Sequence, residues 1–356
     1  MRHFNTAGPC FKENHYMIET STRLKGVEKL IDMAQYFVIH APLQSGKTTY
    51  LLTLEKAINA KGNYYALYCS LESLQQFTDP KQGIPEILKL LKTAIANSNI
   101  PNKQDFAENP DFSFYTGLLE NELILFCKKI SKPLIIFFDD VDKIKAKVLI
   151  PFLSQIRVGF NTRSMYSFVH SMALVGLRPV KNYTKEITDE CKLDYIVPFN
   201  IVAETMMLKN FTKEEITLLY QQHTDDTGQL FENETIDYIF EQTQGHPWLV
   251  NAIAKEVIEE ILKSDYSQPI TAEMAKTAIQ TILQRRDTHI DHLVERLKEK
   301  RVRNIIDSMI SGETFFDRLS DNFQYVVDTG LINDLQAKVQ PSNPIYEEVI
   351  ARYFIE

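Results

Sequence analysis

The stretch "YFVIHAPLQSGKTTYL", residues 36–51, holds the residues with the clearest chemistry. Gly46, Lys47 and Thr48 place a backbone without a side chain, a long amine and a hydroxyl side by side. At the turn from a strand into a helix, that trio binds phosphate. Backbone N–H groups converge on the anion at the helix N-terminus, where the helix dipole favours negative charge. Gly46 permits close approach, Lys47 reaches the β- and γ-phosphates, and Thr48 offers its hydroxyl to Mg2+. The candidate nucleotide contacts are therefore Pro42, Leu43, Gln44, Ser45, Gly46, Lys47, Thr48 and Thr49. The motif G-x-x-x-x-G-K-[ST] opens on glycine, but this chain has Ala41 there. Alanine serves if its φ is negative, because that position only starts the turn.

A second group is "LIIFFDDVDKI", residues 134–144. An apolar strand ending in Asp139 would bring a carboxylate to a water of bound Mg2+. Asp140 stands where many ATPases carry glutamate to polarise the attacking water. Its side chain is one methylene shorter, which predicts slow hydrolysis. Asp142 reads as a helix N-cap. A third group is Arg178, after "MALVGL". If that strand neighbours the phosphate-loop strand, Arg178 stands at the γ-phosphate and senses it. Lys47, Asp140 and Arg178 are the candidate catalytic residues, and Thr48 with Asp139 the metal ligands.

These residues need elements to hold them. Short apolar runs at 36–40, 64–70, 134–138, 172–177 and 195–201 alternate with helical patterns such as Ile87, Leu88, Leu90, Leu91, Ala94 and Ile95. Continuous apolar strands with helical crossovers predict an α/β fold, a parallel sheet sandwiched by helices. The strands then stop near residue 202. "FTKEEITLLYQQH" opens on a capping box, Thr212 to Glu215, and starts a helical module. The last segment reads as three helices (289–298, 300–310, 319–329), a hairpin after Gly330 and a closing helix, the order of a winged helix. The expected domains are 1–202, a phosphate-loop NTPase core with an N-terminal extension; 203–284, a helical lid; and 285–356, a winged-helix module.

Composition narrows the function. With 44% hydrophobic and 24% charged residues the chain is an ordinary globular protein. A formal net charge of −8 disfavours a surface built for nucleic acid or anionic lipid. Cys10, Cys69, Cys127 and Cys191 lack the spacing of a metal clip and read as free thiols. The N-terminus has no apolar core of a leader, and no run is long enough to cross a bilayer. The chain reads as soluble and cytoplasmic. "DTHIDH" (287–292) is read as a solvated helix in preference to a metal site.

The chain resembles the bacterial AAA-like ATPases that open with an "RxFNTAGP" segment, within the signal-transduction ATPases with numerous domains (STAND). The residues that carry the resemblance are "RHFNTAGP" (2–9), "HYMI" (15–18), "YFVIHAPLQSGKTT" (36–49) and "LIIFFDDVD" (134–142). They continue with "QIRVGF" (155–160), "VGLRPVKNY" (175–183), "PFNI" (198–201) and "LKNFTKEEI" (208–216). The C-terminal half adds "TQGHPWLVNAIA" (243–254), "RRDTHIDHLVERL" (285–297), "VDTGLI" (327–332) and "NPIYEEVI" (343–350). The resemblance implies a core, lid and winged helix that close around ATP or ADP with Mg2+. It implies that Arg178 reads the γ-phosphate, that Gly245-His246-Pro247 lies near base or phosphates, and that His15 and Tyr16 neighbour the adenine. Two positions depart from the family pattern: Asp140 replaces the usual glutamate, and Pro179 the aspartate after the sensor arginine. Relatives often continue into a nuclease-like domain; no such motif precedes Glu356, so the chain's own output domain is expected to be missing or supplied by another protein.

Three functions follow. The first is an ATP-operated switch with slow turnover that controls a protein partner or its own nucleotide-dependent oligomerisation. The second is a nucleotide-regulated DNA-associated protein. The candidate recognition helix "LSDNFQYVVDT" disfavours it, carrying Asp321 and Asp328 and no Lys or Arg. The basic stretch 285–303 also carries four acidic residues and reads as a solvated face with internal pairs. The third is a pseudo-ATPase that binds without turnover, a matter that rests on Asp140.

Overall fold

Five strands form one sheet in the computed structural model, which describes residues 1–19, 23–107, 110–183, 200–313, 315–335 and 338–355. They are β1 (Tyr36–His40), β2 (Tyr65–Ser70), β3 (Leu134–Asp139), β4 (Ser171–Gly176) and β5 (Val202–Met207). The order is β2-β3-β4-β1-β5 and every pairing is parallel. Every residue of β3 and β4 is buried, as their unbroken apolar runs require. The intervening helices are α1 (Val27–Asp32), α2 (Lys47–Lys61), α3 (Pro80–Ala96), α4 (Leu118–Lys129) and α5 (Ala146–Thr162). The α3 stripe Ile84, Ile87, Leu88, Leu91 and Ile95 packs into one core with Leu119, Leu123 and Phe126 of α4, Phe152 and Ile156 of α5, and the sheet.

The fifth strand differs from the sequence reading. Residues 195–199 lie outside the described residues, and the strand found is Val202–Met207, so strands do not stop at 202. Its sequence, VAETMM, is an edge strand with Ala203, Glu204 and Thr205 exposed. A strand with only one paired edge does not show the continuous apolar run of a central strand, so it does not announce itself.

By its contacts the chain divides into two compact units. One holds Thr20–His40 and Tyr50–Leu208, with the sheet just described. The other holds Met1–Glu19, Ala41–Thr49 and Lys209–Glu356. The second is helical: α6 (Lys213–Thr227), α7 (Asn233–Thr243), α8 (Pro247–Lys255) running on through a π-turn at Glu256–Ile261, and α9 (Ala272–Arg285). Then come α10 (Thr288–Leu297), α11 (Lys300–Ile310), α12 (Asp321–Asp328), an antiparallel pair β6 (Ile332–Leu335) and β7 (Lys338–Pro341), and α13 (Pro344–Ile355). Both halves of the Thr212–Glu215 capping box are made. The core joins Phe4 and Tyr16 of the N-terminal segment to Tyr220, Phe231, Trp248, Leu293 and Tyr346.

The basic stretch 285–303 is paired as its sequence implies. Arg285 binds Glu256 and Asp287, Arg286 binds Asp291, Arg296 and Arg301 bind Glu299, Lys298 binds Glu295, and Arg303 binds Asp307. Among the described residues no helix is long and apolar enough to cross a membrane, and no cluster of His, Cys, Asp and Glu could hold a metal.

Candidate functional site

The phosphate loop leaves β1 after His40 and enters α2 at Lys47. Its left-handed backbone falls on Gln44 (φ 56°) and Gly46 (φ 89°), whereas Ala41 has negative φ and is fully buried. The turn therefore has no need of glycine at its first position. At Gly46 a side chain would meet nothing within 4 Å, so the reason for glycine is the dihedral angle and the open approach it leaves. The buried Ser45 hydroxyl donates to the Pro42 carbonyl at 2.7 Å, and Lys47 Nζ donates to the carbonyls of Ala41 and Pro42 at 2.9 and 2.8 Å. Lys47 thus curls its amine over the mouth of its own loop, where an incoming phosphate would compete with those two carbonyls. Thr49 Oγ1 accepts the Cys10 N–H at 3.0 Å, tying the N-terminal segment to α2.

The same compact unit presses the C-terminal helices onto this loop. A side chain on Gly330 would lie 2.5 Å from Pro42, so only glycine lets the turn after α12 approach. His289 of α10 meets Gln44 Oε1 through Nδ1 at 2.5 Å and the Tyr346 hydroxyl of α13 through Nε2 at 2.7 Å. Its ring is stacked on Trp248 at 4.9 Å and lies 4.6 Å from the His246 ring. Burial, with His246 and His292 adding to it, holds the His289 imidazole well below its ordinary pKa, so it is neutral. Burial pushes His246 down to about 4; the Leu43 backbone works against that shift and the Lys47 charge reinforces it.

At the carboxyl ends of the parallel strands, β3 closes on Asp139, which is fully buried. Its two oxygens accept the Tyr68 hydroxyl at 3.2 Å and the Asp140 N–H at 3.0 Å. Burial first, then the charges of Asp139 and Asp140, drive the Tyr68 hydroxyl far up, so it stays a donor. Asp140 adopts left-handed φ 62°, and its carboxylate accepts the Ser70 hydroxyl at 2.9 Å; it makes no capping bond. Asp142 is not the helix N-cap its sequence suggested. The residue before α5 is Lys145, and Asp142 Oδ1 instead accepts the Leu177 N–H at 3.1 Å, fixing the chain just after β4. β4 does neighbour β1, in register from Tyr36–Met172 to His40–Gly176. Arg178, two residues on, is buried, with its guanidinium 5.8 Å from the Tyr183 ring and its backbone N–H donating to the Tyr183 hydroxyl at 2.8 Å.

The other named positions lie in the helical unit. His15 Nδ1 accepts the Phe11 N–H at 2.9 Å, and its ring packs edge-on to His3. Tyr16 is buried against Phe4 and His223 with Arg2 over its ring. Pro247 starts α8, and Trp248 Nε1 donates to the Thr6 carbonyl at 3.0 Å. Gly245 has φ 71°, and a side chain there would stand 1.9 Å from the Phe211 carbonyl oxygen. Sequence reasoning did not single out Tyr68 or Ser70, and it named His246 and His289 only within motifs; the DTHIDH helix read as solvated in fact buries His289, because its ring packs between Gln44, Trp248 and Tyr346. Tyr68 and Ser70 gave one signal, polar residues near the end of a buried strand; nothing local marked the environment of His289, since Gln44 and Tyr346 are more than forty residues away.

A family model described as an AAA-like domain matches residues 8–355. Among solved structures, a Walker-type ATPase of Pyrococcus abyssi superposes with TM-score 0.63 at 13% identity, over 98% of this chain and 99% of that one. The ORC2 protein of Aeropyrum pernix, solved as ADPNP–ADP complexes, does so with TM-score 0.51 at 12% identity, over 95% and 93%. At such identities the likeness is one of fold. No curated protein matches the chain. With the model spanning nearly every residue, and the phosphate-loop fold on which it rests present, the chain belongs to the AAA-like domain family.

Proposed function

We propose that the protein is an ATP- and ADP-binding switch of the STAND type, hydrolysing slowly, whose nucleotide state controls a cytoplasmic protein partner or its own assembly. In this reading the NTPase core, expected to end at 202, runs on through β5 to Met207; the lid follows to 284, and 285–356 is a winged-helix module. The observation that carries it is the grouping of the phosphate loop with the C-terminal half: Pro42 against Gly330, Leu43 beside His246, and Gln44 bonded to His289 and through it to Tyr346. A ligand that moves this loop acts on those helices without any intermediary, which is what a switch needs.

The loop fits a nucleotide phosphate. Gly46 leaves the approach open and the Lys47 amine sits at the loop mouth. Mg2+, when bound, would neutralise phosphate charge, held by Thr48 and through Asp139. Asp140 would orient water and Arg178 would sense the γ-phosphate. His15, Tyr16 and Pro247 would neighbour the base. The ORC2 structure carries ADPNP and ADP, which favours adenine here. The DNA reading gains no support, because the cations of 285–303 are largely spent on acidic neighbours.

The test is Lys47→Ala, followed by calorimetry with ADP and Mg-ATP. Loss of about ten- to a hundredfold in affinity is expected, since a charge-assisted phosphate contact of this kind is worth about 1.5–3 kcal/mol and the loop has no other lysine. Unchanged affinity would remove the nucleotide site from this loop.

A further inference from the structure

The two buried histidines beside the phosphate loop differ in one respect. His289 uses both ring nitrogens, one on Gln44 and one on Tyr346. His246, 3% exposed, makes no well-formed hydrogen bond through either nitrogen, and the Leu43 backbone is only a loose partner to its ring. A buried polar atom left without a good partner is costly. The polar neighbours that act on the ring are the Leu43 backbone and Lys47, both from the loop and the first turn of α2. The groups that face it are thus Lys47 from α2, His289 from α10 and Tyr346 from α13, whose ring is 6.0 Å away. An imidazole with a ring nitrogen left over after the Leu43 backbone, set against a helix N-terminus and a lysine, suits an anion.

We propose that His246 is a phosphate-binding residue of this site, donating a ring N–H to a phosphate oxygen of the bound nucleotide and taking up a proton from solvent as it does so. The inference rests on the nucleotide reading and deepens it: the site becomes proton-linked. Without an anion, burial and the Lys47 charge keep the ring neutral. A phosphate brings negative charge to the same place and reverses the balance, since an opposite charge within a few ångströms favours the ionised form. The imidazolium then carries charge 4.6 Å from His289, whose bonds to Gln44 and Tyr346 keep it neutral. Phosphate occupancy is thereby reported to the ring stack that joins α8, α10 and α13.

The experiment is titration of the full chain with ADP, and with adenosine as the phosphate-free probe, at pH 7 in two buffers of different ionisation enthalpy. Wild type should take up a sizeable fraction of a proton with ADP and none with adenosine. His246→Gln, which still donates but does not titrate, should bind ADP about tenfold more weakly, because the phosphate keeps a donor but loses the charge on it. It should also lose the extra proton uptake. Histidine ring NMR on wild type supplies a readout independent of the variant's folding: one midpoint should rise by about three pH units with ADP. Equal ADP affinity and equal proton uptake in wild type and His246→Gln, or histidine midpoints unmoved by ADP, overturn the proposal while leaving nucleotide binding in place. Absence of ADP binding by wild type itself overturns both.

Discussion

Asp139 and Asp140 are adjacent in sequence yet sit in different environments. Asp139 ends a fully buried strand and has both oxygens occupied by Tyr68 and its own neighbour's N–H. Asp140 is turned out by its left-handed backbone and aimed by Ser70. Aspartate tolerates that conformation better than the glutamate usual at this place, because a short polar side chain is among the few that visit it at low cost. The substitution that shortens the reach is thus suited to the backbone it occupies. If Asp140 polarises water, Asp140→Asn should cut single-turnover phosphate release by at least about a hundredfold, with Mg-ATP affinity within a few-fold of wild type. Ser70→Ala should lower the same rate by several-fold with KM unchanged, because the carboxylate loses its orienting donor. Phosphate release equal to wild type in both variants would place the water-polarising group elsewhere.

The segment Gly245-His246-Pro247-Trp248 joins two demands in one element. Proline at the first position of α8 needs no N–H partner and presets φ for the helix. Trp248 anchors the N-terminal segment through Thr6 and stacks on His289. Gly245 closes against Phe211, whose N–H donates to the Gly245 carbonyl at 2.8 Å. Gly245→Ala should lower unfolding free energy by more than about 2 kcal/mol, combining left-handed strain with a backbone clash. Gly228→Ala is the control. It has nearly the same φ, 79°, with nothing within 4 Å, and so should cost only about 1 kcal/mol. Urea midpoints check the pair, and equal losses would mean that the Phe211 contact carries no weight.

On the scale of the whole molecule, the buried neutral histidines make stability depend on pH. His246 titrates near 6.5 when unfolded and near 4 when folded. Above 6.5 both states are neutral and stability is full. As pH falls below 6.5 the unfolded chain binds the proton first, so stability declines until the folded value is reached. The loss from His246 alone is roughly 3 kcal/mol, at 1.36 kcal/mol per pH unit. His289 acts in the same direction. Urea unfolding at pH 7.5 and pH 5 should show the decline, and His246→Gln should lose distinctly less between those two values. An identical pH dependence in the variant would mean that His246 is protonated within the fold.

Sequence alone determined the phosphate loop, the strand that ends in Asp139, the parallel sheet and the run of C-terminal helices. These are local patterns: a trio of residue types at a strand-to-helix turn, continuous apolar runs, a capping box, helical periodicity. Each is written within a few residues, because the backbone satisfies its own hydrogen bonds locally or through neighbouring strands. The edge strand Val202–Met207 escaped because half-exposed residues carry no apolar run. Asp142 was misread because a cap and a strand-end anchor look alike until the Leu177 N–H is found beside it. Only the tertiary structure decided that Ser70 aims Asp140, that the phosphate loop packs with residues 209–356, and that His289 is satisfied where His246 is not. Those facts depend on which distant side chains desolvate one another, and no spacing along the chain encodes that.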